Sequence, residues 1–319
     1  MRKLFEAALL ALSISLACAE TPQNGLAPVN AALQAGEADQ ALQLLGGLPP
    51  SADAHNLRCR VYFALGRWND AANECDQAVQ INSGSAVHHL WLGRALGEKA
   101  DNSSFMTAFS LAKRTRAEFE EAVNLDPHNG DAMSDLGEFY ASAPGVVGGG
   151  NDKAQALVPK LEKVDPTRAH VLLARIAESQ KDPGTAEREF KQAIATSEHP
   201  AVQWITLAAF YKKHEQWDQM EAAVVTGYRL AQHDRGAGIA LFNGAAVLKG
   251  GKRNLALAAK MLEEYLADYP KTEEGPAFEA HTRLAQLKAQ LGDKNGAIEH
   301  RAEALKLAHD YKPALGLTF

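Results

Sequence analysis

A helix-turn-helix pattern recurring about every 34 residues constrains this chain of 319 residues more than any other feature. The clearest copy reads Trp204-x2-Leu207-Ala208-x2-Tyr211, then Trp217, then a second helix to Gly227. The same grammar returns around Gly66/Ala71/Ala78, Phe119/Ala122/Pro127, Leu136/Gly137/Tyr140, Ala186/Phe190/Ala193 and Gly292/Ala297/Ala304. A fixed period of this length marks a solenoid, because one helix pair cannot bury its apolar face alone and must stack on neighbours. No alternating apolar run is long enough to suggest a sheet. The period predicts an all-α chain of about 16 helices in one elongated array.

Laid along the chain, the period marks units at about 25–50, 52–85, 86–128, 130–166, 167–200, 201–234, 237–271 and 278–311. Asp126-Pro127, Asp165-Pro166 and Tyr269-Pro270 read as stops, since proline cannot continue a helix. Three units are too long, and each has its extra length between its first and second helix. In 86–128, Phe105 to Leu125 reads as one helix of about 21 residues behind an Asn102-Ser103-Ser104 cap. In 130–166 a run from Pro144 to Gly150 separates the helices, and in 237–271 the extra residues are Gly250-Gly251. Longer loops are predicted near 99–103, 143–152 and 271–277. Phe105, Met106 and Phe109 lie beyond the normal reach of a repeat helix, and internal packing on Pro144, Val146 and Val147 is the expected way to cover them.

These residues resemble the tetratricopeptide-repeat family. The resemblance implies a right-handed superhelical solenoid of about eight helix pairs, with the first helix of each pair lining a concave groove. It further implies a non-catalytic scaffold or adaptor that binds a protein or peptide there, without a cofactor. Small residues such as Gly93, Gly137, Ala174, Ala208 and Ala285 fit where the helices of a pair approach most closely. The groove positions include Asn56, Arg60, Arg94, Glu138, Arg175 and Lys212. Arg60, Arg94 and Arg175 fall at equivalent places, and some proteins of the family grip a peptide carboxylate with such side chains. Arginine suits carboxylates because its planar fork donates two parallel hydrogen bonds. Glu138 interrupts that row. The resemblance also sets Cys59, in the small place of a first helix, against Cys75, in the large place of the second. A disulfide and two buried thiols both fit, because a disulfide needs Cα atoms within about 7 Å whereas helix axes commonly lie about 8–10 Å apart.

Several chemistries are excluded or weak. The chain carries a net charge of −6, which argues against generic nucleic-acid or anionic-membrane binding. The glycine run is not a phosphate loop, for Gly150 is followed by Asn151-Asp152-Lys153 and a helix precedes it. An anion resting on free amides at the next helix start is the residual binding possibility there. The adjacent His88-His89 cannot easily face one ion, and no zinc spacing occurs, so no metal is expected. Gly-x-Ser-x-Gly is absent, and no small-molecule ligand is expected in the groove. The alternative function is a ligand-binding or hydrolytic site on the inserted 105–150 edge, where Asp101, Asp152 and Lys153 are the nearby titratable residues.

Residues 1–19 read as an address. Arg2 and Lys3 precede a mostly apolar stretch from Leu4 to Leu16, and Ala17-Cys18-Ala19 offers a small-x-small cleavage site. The stretch is shorter than the roughly 20 residues a permanent span requires. Export to the periplasm or the medium is therefore expected, with no transmembrane segment in the mature chain. Lipid anchoring through Cys18 is the alternative, although Ser15 and Leu16 reverse the usual order before a lipidated cysteine. Mass spectrometry of the mature N-terminus is expected to find Glu20. A diacylglyceryl group on Cys18 would replace the soluble form with an anchored one.

Overall fold

The computed structural model describes residues 22–319, with side chains from Gly25 onward. The expected leader at 1–19, including Cys18, lies outside the described residues. The described residues form eight consecutive helix pairs. They are α1 (Pro22–Ala35) with α2 (Ala38–Gly46), α3 (Ala52–Ala64) with α4 (Trp68–Ile81), and α5 (Ala86–Asp101) with α6 (Phe105–Leu125). Next come α7 (Gly130–Ser142) with α8 (Asn151–Val164), α9 (Pro166–Ser179) with α10 (Pro183–Thr196), and α11 (Pro200–Lys213) with α12 (Trp217–Ala231). The last pairs are α13 (Gly238–Gly251) with α14 (Leu255–Asp268), and α15 (Ala277–Gln290) with α16 (Lys294–Leu307); a short α17 (Lys312–Leu315) follows. Among the described residues there is no strand, only one isolated bridge between Thr272 and Gly275.

Local chemistry explains the boundaries. Ser51, Asn129, Asp165, Asp182 and Asp293 each accept a backbone N–H from the first turn of the following helix. Pro166, Pro183 and Pro200 open helices, where the missing N–H has no cost. Pro166 thus starts α9 rather than merely ending α8, and Asp165 alone joins the two. The long third unit keeps its extra length in its helices: α5 runs through Asp101, so the expected 99–103 loop shrinks to 102–104. Cys59 and Cys75 are disulfide-bonded across the α3–α4 pair, their Cα atoms 5.3 Å apart, in a core with Trp91 and Leu92.

The array is not the open, elongated one that the period suggests: its ends meet. Val29, Leu33, Leu45, Leu57 and Val61 from the first three helices share one apolar core with Phe278 of α15 and with Tyr311 and Ala314 at the C-terminus. The Phe278 and Tyr311 rings pack edge to face, 4.8 Å apart. Polar contacts rim the seam. Asp39 accepts the His309 N–H at 2.8 Å, Arg67 pairs with Asp310 at 2.8 Å, and Arg60 donates two hydrogen bonds to Glu273 at 2.8 and 2.6 Å. Gly36, at φ +74°, lies directly against the backbone of Pro276 and Ala277. A Cβ there would fall inside that backbone, so the closure requires glycine twice, for conformation and for space. Gly36→Ala is expected to destabilise the protein by more than about 2 kcal/mol and to enlarge its radius of gyration, read by thermal melts and small-angle scattering.

A pH dependence follows from α15 and α16. His281 and His300 face each other with their Nδ1 atoms 3.0 Å apart. Burial, and then the neighbouring ring, pushes His281 from 6.5 down to about 4. Burial also pushes His300 down. A depressed histidine leaves the folded state proton-poor, so its contribution is complete above the unfolded value and is lost as pH falls toward the folded one. The melting midpoint should therefore drop between pH 6.5 and about 4, and His281→Gln should make that drop shallower.

Candidate functional site

A cavity of about 700 Å³ opens where the first helices α3, α5 and α7 meet the long helix α6. Two glycines on one face of α5 shape it. Gly93 lets the Phe119 ring of α6 lie against the α5 backbone, and Gly97, one turn on, sits beside the Thr115 methyl. Phe63, Trp91, Phe119 and Phe139 provide aromatic wall. Carboxylates surround it: Glu98 and Asp101 from α5, Asp135 and Glu138 from α7, and Glu273 and Glu274 from the segment before α15. Among the described residues, Arg94 is the one cation in the lining.

The two distant glutamates come from a stiff connection. Tyr265 donates its hydroxyl to the Gly275 carbonyl at 2.5 Å and accepts the Thr272 N–H at 3.2 Å. Lys271 donates to the Tyr265 carbonyl at 2.8 Å. This brace sends Glu273 across to Arg60 and leaves Glu274 exposed at the cavity.

The predicted groove residues divide accordingly. Arg94 and Glu138 line the cavity, and Arg60 reaches its rim through Glu273. Arg94 pairs with Asp135 at 2.6 Å and lies over the Trp91 ring at 4.8 Å. Arg175 pairs with Glu178 at 2.8 Å and stands 3.9 Å from Glu138. Each equivalent arginine is thus engaged by a carboxylate of the protein itself. Asn56 is buried, with an amide nitrogen that has no partner among the described residues, and is not in the cavity lining. Lys212 sits half-buried beside Gly250, away from the cavity.

Burial, and then Asp101, pushes the Glu98 carboxyl above its ordinary value. Burial also pushes Asp135 up, and Arg94 offsets part of that. In both, burial of a part-buried carboxylate is the largest cause. Thr115 is 4% exposed and lines the cavity, yet its hydroxyl has no hydrogen-bond partner among the described residues.

The inserted edge differs from expectation. Phe105 and Met106 are 83% and 76% exposed and do not pack on the glycine segment. The long α6 carries them past its described neighbours. Phe109 is half-buried, with the Lys113 ammonium 4.4 Å above its ring. Val147 is buried while Val146 is exposed. The glycine run forms a closed turn: the Gly149 N–H bonds to the Pro144 carbonyl and the Gly150 N–H to the Tyr140 carbonyl at 2.8 Å. Those two amides are committed internally rather than offered to an anion. At the seam, Asp39, His309 and Asp310 cluster, and they are joined to one another's chain segments and to Arg67.

The sequence matches no protein-family model and no curated protein. Among solved structures, it is similar to a thermophilic TPR protein of Thermus thermophilus, with 17% identity and a TM-score of 0.50. That alignment covers 60% of this chain and 98% of the other. The fold is that of a tetratricopeptide-repeat solenoid. Lower scores are found with MamA protein, at 22% identity, TM-score 0.42 and coverage of 56% and 93%. The same holds for pilF of Pseudomonas aeruginosa, at 14%, 0.41, and 83% and 95%.

Because the Thr115 hydroxyl is buried without a partner, Thr115→Val should raise the melting midpoint, by up to about 1 kcal/mol of stability. A destabilised variant would show that the hydroxyl is bonded in solution.

Proposed function

We propose that this protein is a non-catalytic scaffold that holds a segment of a partner protein in the cavity between α3, α5 and α7. The observation that carries the reading is an open, aromatic-walled cavity built by consecutive first helices of a repeat fold. Aromatic side chains supply contact area at little entropic cost, and a cavity of about 700 Å³ accommodates a few side chains. Among the described residues its titratable lining is carboxylates and one arginine, with no histidine or cysteine beside a nucleophile. The acidic lining also repels nucleic-acid phosphates.

The same reading sets the protein outside the cytoplasm, periplasmic or secreted. Its support is the leader-like segment and the Cys59–Cys75 disulfide, which oxidising compartments favour. No helix of the described residues is long and apolar enough to cross a membrane.

A photo-crosslinking amino acid in place of Phe139 should join the protein to a polypeptide in its native compartment. The same group in place of the exposed Leu230 serves as the control. Equal labelling at both positions, or none at Phe139, would count against the cavity as the binding place.

A further inference from the structure

We propose that the cavity takes a cationic side chain, arginine foremost, of the bound polypeptide segment. This rests on the scaffold reading and adds the chemistry of its partner. The arginine row suggests a grip on a peptide carboxylate, but the structure reverses the sign. Arg60 is engaged by Glu273 and Arg94 by Asp135. Glu98, Asp101 and Glu274 line the cavity with no ion pair among the described residues. Glu138 has only the distant Arg175, at 3.9 Å. An excess of negative charge therefore surrounds a space whose walls are Phe63, Phe119 and Phe139.

Lysine and arginine match both features, an apolar stem against the rings and a charged head at the carboxylates. Arginine matches better. Its five donors serve several acceptors at once, and the lining supplies carboxylates from α5, α7 and the segment before α15. The raised Glu98 carboxyl is consistent with this, since a nearby cation would favour its charged form against the burial that raises it.

The test is selection of a random nonapeptide library against the full chain. Recovered sequences should be enriched in arginine or lysine flanked by apolar residues. A synthetic peptide from that set should lose at least about tenfold in affinity when its arginine becomes citrulline, its uncharged isostere. The Glu98→Gln/Asp101→Asn/Glu274→Gln protein should lose as much, and salt should weaken the wild-type complex. An unchanged melting midpoint checks the fold of that variant. Should it misfold, Glu274→Gln alone, on an exposed side chain, carries the comparison. Recovered peptides that are acidic or uncharged, or affinities indifferent to citrulline and to the triple change, would overturn this inference and leave the scaffold reading standing. Recovery of no peptide would overturn both. Saturable tryptophan quenching by arginine amide alone, with no peptide recovered, would reassign the cavity to a small organic cation and overturn the polypeptide as occupant.

Discussion

Everything in this structure depends on helix pairs that cannot cover their own apolar faces. Each pair buries its face on the next, which leaves an array with two raw ends. Solenoids commonly finish such ends with polar caps. Here the ends cover one another: Phe278, Tyr311 and Ala314 join Val29, Leu33 and Leu45 in one core. A buried phenylalanine is worth about 1.5–3 kcal/mol over an exposed one, so burying Phe278 favours the closed seam. Its polar rim, Arg67 with Asp310 and Arg60 with Glu273, then fixes the register.

The closure also makes the candidate site. Without it the first helices α3, α5 and α7 would present an open face with alternating charges. With it, the braced segment before α15 brings Glu273 and Glu274 against that face. Glu273 engages Arg60, and Glu274 adds its charge to Glu98 and Asp101. The site's electrostatic sign is therefore a property of the assembled array, not of the groove helices alone.

Much of the local design was legible in the residues. The helix Phe105–Leu125 follows from uninterrupted helix-forming sequence behind Ser104, and its length is as read. The repeat's small and large places set Cys59 opposite Cys75 without deciding between a bond and two thiols, and the 5.3 Å between their Cα atoms decides for the bond. Arg94 and Glu138, two of the expected groove residues, line the cavity, since spacing along one helix face is local. Packing of Phe105 was misjudged, since nothing in a repeat pattern says how far a long helix overshoots its neighbours. Thr115 gave no signal, as an unpartnered hydroxyl shows only once the surrounding groups are located.

By itself the sequence determined the fold class and the helix pairs. Those follow from short-range rules: apolar period, caps, prolines and small residues at close approaches. Only the tertiary structure decided that the ends meet, that the arginines are neutralised and that carboxylates dominate the cavity. Contacts such as Arg60 with Glu273 span 213 residues, and they arise from small rotations accumulated over successive units. No window of sequence contains that sum, and so none contains the site's charge.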